Sequence, residues 1–205
     1  MTHIGHSEKV FIMKRLLLIL ILIFSFQSLT KADDINDLQI EGMSIGENIL
    51  DFFTIKDLKN FGEGNYPASD KFYDIYTHSE KYTQYDSVGI NLKKNNYLIY
   101  GISGSIFIKN IDECKKKKNE IQNEIISQFI DSKIIDHGTY TQKDYNDNDS
   151  TKTQVEIHLP NKGGLISIEC SDWSKKTEAS HGWYDNLSVS IYSKEFEKWL
   201  RNEAY

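Results

Sequence analysis

The sequence predicts an α+β protein in which one or more antiparallel β-meanders pack against a central helix. A helix pair is expected near the amino end and a single helix at the carboxyl end. Three observations predict this class. Short segments of alternating apolar residues follow one another through turns, a mid-chain segment carries an apolar stripe at helical spacing, and capping residues precede apolar runs near both ends.

The first residues have the pattern of a secretory signal. Lys14 and Arg15 precede an apolar run over residues 16–26, and small residues at Thr30 and Ala32 form a cleavage site. The alternative is an uncleaved anchor, but a spanning helix needs about 20 apolar residues and this run is shorter. The sequence therefore predicts a periplasmic or secreted protein with no stable membrane span after cleavage.

This pattern divides the chain into three parts. We interpret residues 1–12 as an upstream extension from a misassigned start codon, and residues 13–32 as the signal peptide. Residues 33–205, beginning near Asp33, form one mature α+β domain. The order of predicted elements allows two similar halves, 33–110 and 111–205, although no residue-level repeat supports them.

Charge excludes two classes of partner. The chain has a formal charge of −6, and residues 1–32 hold four of its 24 basic residues and one of its 30 acidic ones, so the mature part carries −9. Nucleic-acid binding and docking on anionic lipid both depend on basic surfaces. We therefore expect neither. An envelope protein is the partner expected if the chain is a binding module.

Two cysteines predict one disulfide. Cys114 lies on the apolar stripe of the central helix, and Cys170 lies on the apolar face of a strand, so both thiols point to the contact between helix and sheet. In an oxidising compartment such a pair is expected to bridge. Free buried thiols and a redox pair are the alternatives, and the absence of a Cys-x-x-Cys spacing disfavours redox catalysis.

Local signals place the elements. Capping boxes at Ser44–Glu47 and Thr54–Asp57 predict the helix pair, and Gly62–Pro67 is expected to form a loop. Gly101 and Gly104 indicate a bulge in the third strand, and Lys115–Lys118 are expected to face water. The predicted strands cover 72–77, 88–92, 97–109, 134–143, 153–159, 165–173 and 187–191; the central helix covers 112–131, a loop covers 174–185, and the last helix is capped by Ser193.

Several segments resemble known groups. The segments Ile40–Glu47, Tyr100–Asn110, Ile166–Trp173 and Leu187–Leu200, with Glu113-Cys114, resemble a group of small exported proteins from AT-rich marine bacterial genomes. The likeness spans nearly the whole mature chain and implies no activity. The segment GMSIGENILDFF is also similar to the opening helix of the BamE and beta-lactamase-inhibitor-protein folds, which are small envelope binding modules, a likeness at the level of the fold alone.

One loop partly fits a calcium site. Asp144, Asn146 and Asn148 stand at positions 1, 3 and 5 of a calcium-binding loop. Position 6 is Asp149 instead of glycine, and position 12 is Val155 instead of glutamate. The alternative, which we favour, is a solvated loop between two strands.

Four further residues are candidates for an enzyme site: His137, His158, Asp172 and His181. None of the histidines has the sequence partner of a zinc site, and His158 alternates with Gln154 and Glu156 on the polar face of its strand. We expect no metal and no cofactor, and we interpret these residues as structural or solvated.

Two functions remain open. The first is a non-enzymatic binding or envelope-assembly module, favoured because no catalytic motif is present. The second is a small periplasmic hydrolase whose His and Asp residues come together only in the fold. A histidine within hydrogen-bond reach of a carboxylate, beside a pocket, favours the second.

Overall fold

Eight strands form one antiparallel sheet in the computed structural model, which describes residues 34–142, 149–161 and 163–205 of the chain. The strands are β1 (Gly62–Asn65), β2 (Phe72–Thr77), β3 (Ser87–Lys93), β4 (Ile99–Phe107), β5 (Lys133–Thr141), β6 (Thr151–Leu159), β7 (Gly164–Asp172) and β8 (Asn186–Ser193). The helices are α1 (Ile55–Leu58), α2 (Ile111–Gln128), α3 (Lys175–His181) and α4 (Lys194–Asn202), and 3-10 turns cover Ile35–Asp37 and Ile49–Asp51.

The sheet consists of two meanders that meet at their last strands. The strand order is β1-β2-β3-β4-β8-β7-β6-β5, and every neighbouring pair is antiparallel. Strands β4 and β8 therefore occupy the middle of the sheet. The prediction of an α+β class with an antiparallel sheet is confirmed.

One face of the sheet carries the main core. Alternate residues of the central strands, such as Ile102, Ile168 and Ile191, are at most 3 % exposed. The amino-terminal segment and α2 cover this face, which we call the buried face. The amino-terminal segment is fixed to the start of β4 because the amide of Gly46 donates to the carbonyl of Ile99 over 2.8 Å.

Helix α2 is joined covalently to the sheet. Asn110 caps it by accepting the amides of Asp112 and Glu113. Cys114 on its first turn forms the expected disulfide with Cys170 on β7, at a Cα–Cα distance of 6.0 Å and a sequence separation of 56. Closing a loop of this length stabilises the fold by about 4 kcal/mol when only chain entropy is counted.

Helix α4 covers one end of the opposite face. Ser193 caps it as predicted, accepting the amide of Phe196 over 3.2 Å. Phe196 and Trp199 are buried against Phe72 in an aromatic cluster that includes Tyr66, Tyr100 and Tyr192.

The amino-terminal helix pair is only partly present. Ser44 and Glu47 form half of their capping box, since the Ser44 amide donates to Glu47 Oε2 over 2.7 Å, but the chain then makes a 3-10 turn in place of the first helix. The second box is complete and begins the single turn of α1. The backbone amides of Gly46 and Ile49 donate to the carbonyls of Ile99, the first residue of β4, and Tyr97, just before it. These hydrogen bonds prevent a regular helix.

Four details differ from the sequence-based expectations. Residues 62–65, predicted as loop, form β1 by pairing with β2, and residues 175–181, also predicted as loop, form α3 behind a Ser174 cap. The expected bulge lies at the start of β4, where Asn91 pairs with Gly101 and Leu92 pairs with Ile99. It places Tyr100 in the aromatic cluster instead of the buried face. Lys118, expected to face water, is only 4 % exposed.

None of the helices in the described residues is both long enough and apolar enough to cross a membrane.

Candidate functional site

The face opposite the main core is polar and is made of small residues, some buried between larger neighbours and some partly exposed. Because side chains alternate along a strand, the strands that send Ile102, Ile168 and Ile191 into the core send serines to the other side. Cross-strand partners continue this row of small residues over β3, β4, β8 and β7. We call it the serine floor: Gly89, Ser103, Ser105, Ser167, Ser188 and Ser190.

Exposed aromatic residues surround the serine floor. Tyr76 on β2 is 49 % exposed, Phe107 at the end of β4 is 42 % exposed, and Tyr140 on β5 is 38 % exposed. Tyr184 is 61 % exposed and lies 5.3 Å, centroid to centroid, from Phe107. These four residues form the aromatic rim, and the rim and the serine floor together form the open face.

Tyr76 is held in place by its neighbours. A Cβ atom built on Gly89 would lie 3.3 Å from the Tyr76 ring, and one on Gly64 would lie 3.1 Å from it, so the ring rests on two glycines. The Tyr76 hydroxyl donates to Asp74 Oδ2 over 3.0 Å, which fixes the rotation of the ring. Tyr76 is therefore both exposed and preorganised.

Asp74 forms the centre of a half-buried hydrogen-bond network. Its Oδ1 accepts the Tyr66 hydroxyl over 2.8 Å and also the side-chain amide of Asn91. Burial raises the pKa of Asp74 above its ordinary range, although the hydrogen bonds from Tyr66, Asn91 and Tyr76 act in the opposite direction. Burial, followed by the charge of Asp74, raises the pKa values of Tyr66 and Tyr76 far above the usual range, so both hydroxyls remain protonated donors.

A second polar cluster lies at the other side of the open face, where α4 meets β6. Glu156 Oε2 lies 2.9 Å from His158 Nε2 and 2.9 Å from an Arg201 terminal nitrogen. His137, at the bulge of β5, is 3.6 Å from the same oxygen. Glu197 Oε1 accepts Arg201 Nε over 3.2 Å and lies 3.4 Å from His158 Nδ1.

The electrostatics of this cluster favour the ionised form of Glu156. Burial alone raises the pKa of Glu156, but hydrogen bonds from Arg201 and His158 outweigh it and leave that pKa below its ordinary value. Both ring nitrogens of His158 face a carboxylate oxygen. The imidazole is thereby fixed between two elements, and neither nitrogen is directed to a nucleophile.

A cavity of about 280 Å³ lies beside this cluster. It is formed where α4 crosses β6 and β7, next to Ser167 of the serine floor. We call it the α4 cavity, and its lining residues are Gln154, Glu156, Leu165, Ser167, Glu169, Tyr192, Glu197, Leu200 and Arg201. Burial raises the pKa of Tyr192 to about 12, so its hydroxyl remains protonated.

The structure brings together two of the four residues proposed for an enzyme site. His137 and His158 meet at Glu156, and His158 is more enclosed than the exposed position expected for it. His181 lies elsewhere, with Nδ1 2.7 Å from Ser180 Oγ and its ring stacked on Trp183 at 4.7 Å. Asp172 ends β7, opposite Thr151, away from α4.

The candidate calcium residues Asp144, Asn146 and Asn148 lie outside the described residues. Within the described ranges, no group of three or more His, Cys, Asp or Glu side chains is arranged to hold a metal ion.

Sequence reasoning missed the residues that complete the cluster. The sequence shows Glu156 only as a neighbour of His158 on a polar strand face, and Arg201 only as the one arginine of the mature chain; it does not connect either residue with Glu197. The available signal was the i, i+4 spacing of Glu197 and Arg201 on an amphipathic helix, which places both on one side of it. The i, i+4 spacing predicts that Glu197 and Arg201 contact each other, but it does not predict that they also contact residues of β6.

Comparison with protein-family models, with curated proteins and with solved structures finds no match. The fold and the site define an α+β protein with one covered sheet face and one polar, aromatic-rimmed sheet face. Any functional conclusion therefore rests on that second face.

Proposed function

We propose that the chain is an exported, non-enzymatic binding module that engages a protein partner of the cell envelope through the open face. The observation that carries the proposal is the aromatic rim around a floor of small polar residues. Exposed, well-supported tyrosines are frequent in the energetic centres of protein interfaces, and small residues beneath them allow a partner to approach closely. The Cys114–Cys170 disulfide supports export, because disulfides persist in oxidising compartments.

The position of Tyr76 supports binding in particular. Immobilising a side chain on association costs about 0.5–1.5 kcal/mol, and a ring that is already fixed avoids much of this cost. Asp74 and the two underlying glycines fix the Tyr76 ring before any partner arrives. A structural tyrosine of this kind would more commonly be buried, whereas Tyr76 remains 49 % exposed.

The test is cross-linking in intact cells, followed by capture of the tagged protein and mass spectrometry. A partner recovered in stoichiometric amounts is expected with the natural chain. Ser188→Arg places a long charged side chain on the serine floor and should abolish that recovery. Ser127→Arg makes the same exchange on exposed Ser127 of α2, on the covered side of the sheet, and should leave recovery unchanged.

A second pair of variants tests the rim. Tyr184→Ala removes a residue that is 61 % exposed, and Ile130→Ala removes one that is 72 % exposed but lies after α2, outside the open face. Recovery should fall about tenfold for Tyr184→Ala and remain unchanged for Ile130→Ala. Recovery of the protein alone, or partner recovery that is insensitive to Ser188→Arg, would overturn the proposal.

Hydrolysis is the second candidate function, and one observation favours it. His158 lies 2.9 Å from Glu156 beside the α4 cavity, as a general base and its orienting carboxylate would. The contact between His158 Nδ1 and Glu197 disfavours it, because catalysis needs one free ring nitrogen. Hydrolysis of p-nitrophenyl acetate by the natural chain and by His158→Ala decides this: equal rates exclude His158 as a base, and a tenfold loss supports it.

A further inference from the structure

The α4 cavity has two kinds of wall. Leu165, Leu200 and the ring of Tyr192 form an apolar side, and three glutamates with Arg201 form a charged side. At about 280 Å³ the cavity has room for one long side chain but falls just below the usual size of a site for a drug-sized ligand. Because it opens beside Ser167, a partner seated on the open face can reach it with a single residue.

The charged wall of the α4 cavity has carboxylate oxygens that can accept further hydrogen bonds. Glu156, Glu169 and Glu197 each use one oxygen, toward Arg201, Lys152 and Arg201 respectively. No donor among the described residues lies within hydrogen-bond distance of the second oxygen of any of the three. The cavity has three carboxylates against two cations, Arg201 in its lining and Lys152 beside it on Glu169. This excess of negative charge disfavours an anion in the cavity and favours a cation.

The cation that fits is organic. A divalent metal ion needs several ligands converging on one point, and within the described ranges no such group occurs. An arginine or lysine side chain instead places its methylene stem along apolar surface and its charged head among acceptors. The two walls of the α4 cavity match that division.

We infer that the α4 cavity receives one arginine or lysine side chain of the protein partner. The inference rests on the proposed function, since it names the chemistry of the partner on the open face. The net charge of the chain also supports this inference. Its formal charge is −6, and a negatively charged protein attracts a basic partner surface. The aromatic rim and the α4 cavity then act together, with the rim contacting apolar residues around the inserted cation.

Two matched probes test the inference on the isolated protein. N-acetyl-arginine-methylamide carries the guanidinium, and N-acetyl-citrulline-methylamide has nearly the same shape without the charge. In ¹H–¹⁵N correlation spectra the arginine probe should shift the resonances of Ser167, Glu169 and Leu200 in a saturable manner. The citrulline probe should bind at least tenfold more weakly.

Matched variants test whether the arginine probe binds in the α4 cavity. Glu169→Gln combined with Glu197→Gln should weaken binding of the arginine probe about tenfold, because two of the three charges are removed. Glu195→Gln is the control: it lies on the same helix and pairs with Lys93 over 2.8 Å, but it does not line the cavity. It should leave probe affinity unchanged.

The outcomes separate the two proposals. Equal binding of both probes, or no saturable shift with the arginine probe, overturns the cation inference and leaves the capture experiment to decide the binding module. Saturable arginine binding together with a failed capture overturns the protein partner on the open face. The cavity then takes a free alkylguanidinium or alkylammonium compound instead.

Discussion

The Glu41 side chain accepts hydrogen bonds from three successive backbone amides. Its carboxylate accepts the amides of Thr83, Gln84 and Tyr85 over 2.7–3.1 Å and so fixes the loop between β2 and β3. We expect Glu41→Gln to lower the free energy of unfolding by about 1–2 kcal/mol, because charge-assisted hydrogen bonds become neutral ones. Urea unfolding measures it, and Glu80→Gln, an exposed position in the same loop, should change stability by less than about 0.5 kcal/mol.

Glu156 and Asp74 should contribute to folding stability with opposite dependence on pH. The pKa of Glu156 lies below its ordinary value of 4.5, so the folded state binds fewer protons than the unfolded state at and below that pH. Its contribution to stability is complete above pH 4.5 and is lost as the pH falls through the folded-state pKa. The natural chain should therefore lose stability relative to Glu156→Gln on acidification.

The contribution of Asp74 to folding stability should change with pH in the opposite direction. Its pKa is raised above the ordinary value of 3.8, so the folded state retains a proton that the unfolded state has released. The stability of the natural chain relative to Asp74→Asn should then be highest below pH 3.8 and fall as the pH rises through the raised pKa. Urea midpoints of the three proteins from pH 3 to 7 measure both effects, and parallel curves would contradict the proposed environments.

At the scale of elements, α4 should depend on its aromatic anchor. Trp199 is 1 % exposed, packs 4.8 Å from the Phe72 ring and donates its indole N–H to Ser69 Oγ over 3.1 Å. Trp199→Ala should cost about 3–5 kcal/mol, because a large cavity opens where the helix meets the sheet. Thermal unfolding followed by circular dichroism tests this. Lys198→Ala, an exposed position on the same helix, should have little effect, and an equal loss in both variants would contradict the anchoring role.

The elements also show what the sequence can and cannot predict. Strand positions, the span of α2 and its disulfide follow from local periodicity, because a half-buried strand and an amphipathic helix each impose their own spacing. The incorrect predictions concern segments in which hydrogen bonding to another part of the chain outweighs the local preference for a helix or a loop. Gly62–Asn65 forms a strand because β2 offers an edge to pair with. The segment after Ser44 does not form a helix because its amides donate to residues 97–99, at the start of β4.

The candidate site was less predictable for the same reason. His158 was visible as one polar residue in an alternating strand, but its environment comes from Glu197 and Arg201, which are about 40 positions later in the chain. Likewise Tyr76 and Tyr184 have no local mark that distinguishes a rim residue from a core residue. Their roles depend on which strands become neighbours in the sheet.

At the scale of the whole molecule, the two meanders should unfold together. Their only strand-to-strand connection in the described residues is β4 with β8, yet this pair is central and places Ile102 opposite Ile191 in one continuous core. Because the two meanders share one core, unfolding either one would expose apolar residues of the other to water. We therefore expect one cooperative transition in urea.

The distribution of tryptophan makes this testable. Trp173 and Trp183 pack on each other at 4.7 Å in the second half, whereas Trp199 packs on Phe72 of the first meander. In a Trp199→Phe background, fluorescence therefore reports the second half while circular dichroism reports both. The two transitions should coincide, and Ile102→Ala in β4 should shift both midpoints equally, with a cost of about 2–5 kcal/mol because Ile102 is fully buried. Ile134→Ala, which removes a side chain that is 42 % exposed, is the control and should shift neither midpoint appreciably. An Ile102→Ala protein whose dichroism falls before its fluorescence changes would show that the first meander unfolds alone, and the coupling through β4 and β8 would then be too weak to make the sheet one cooperative unit.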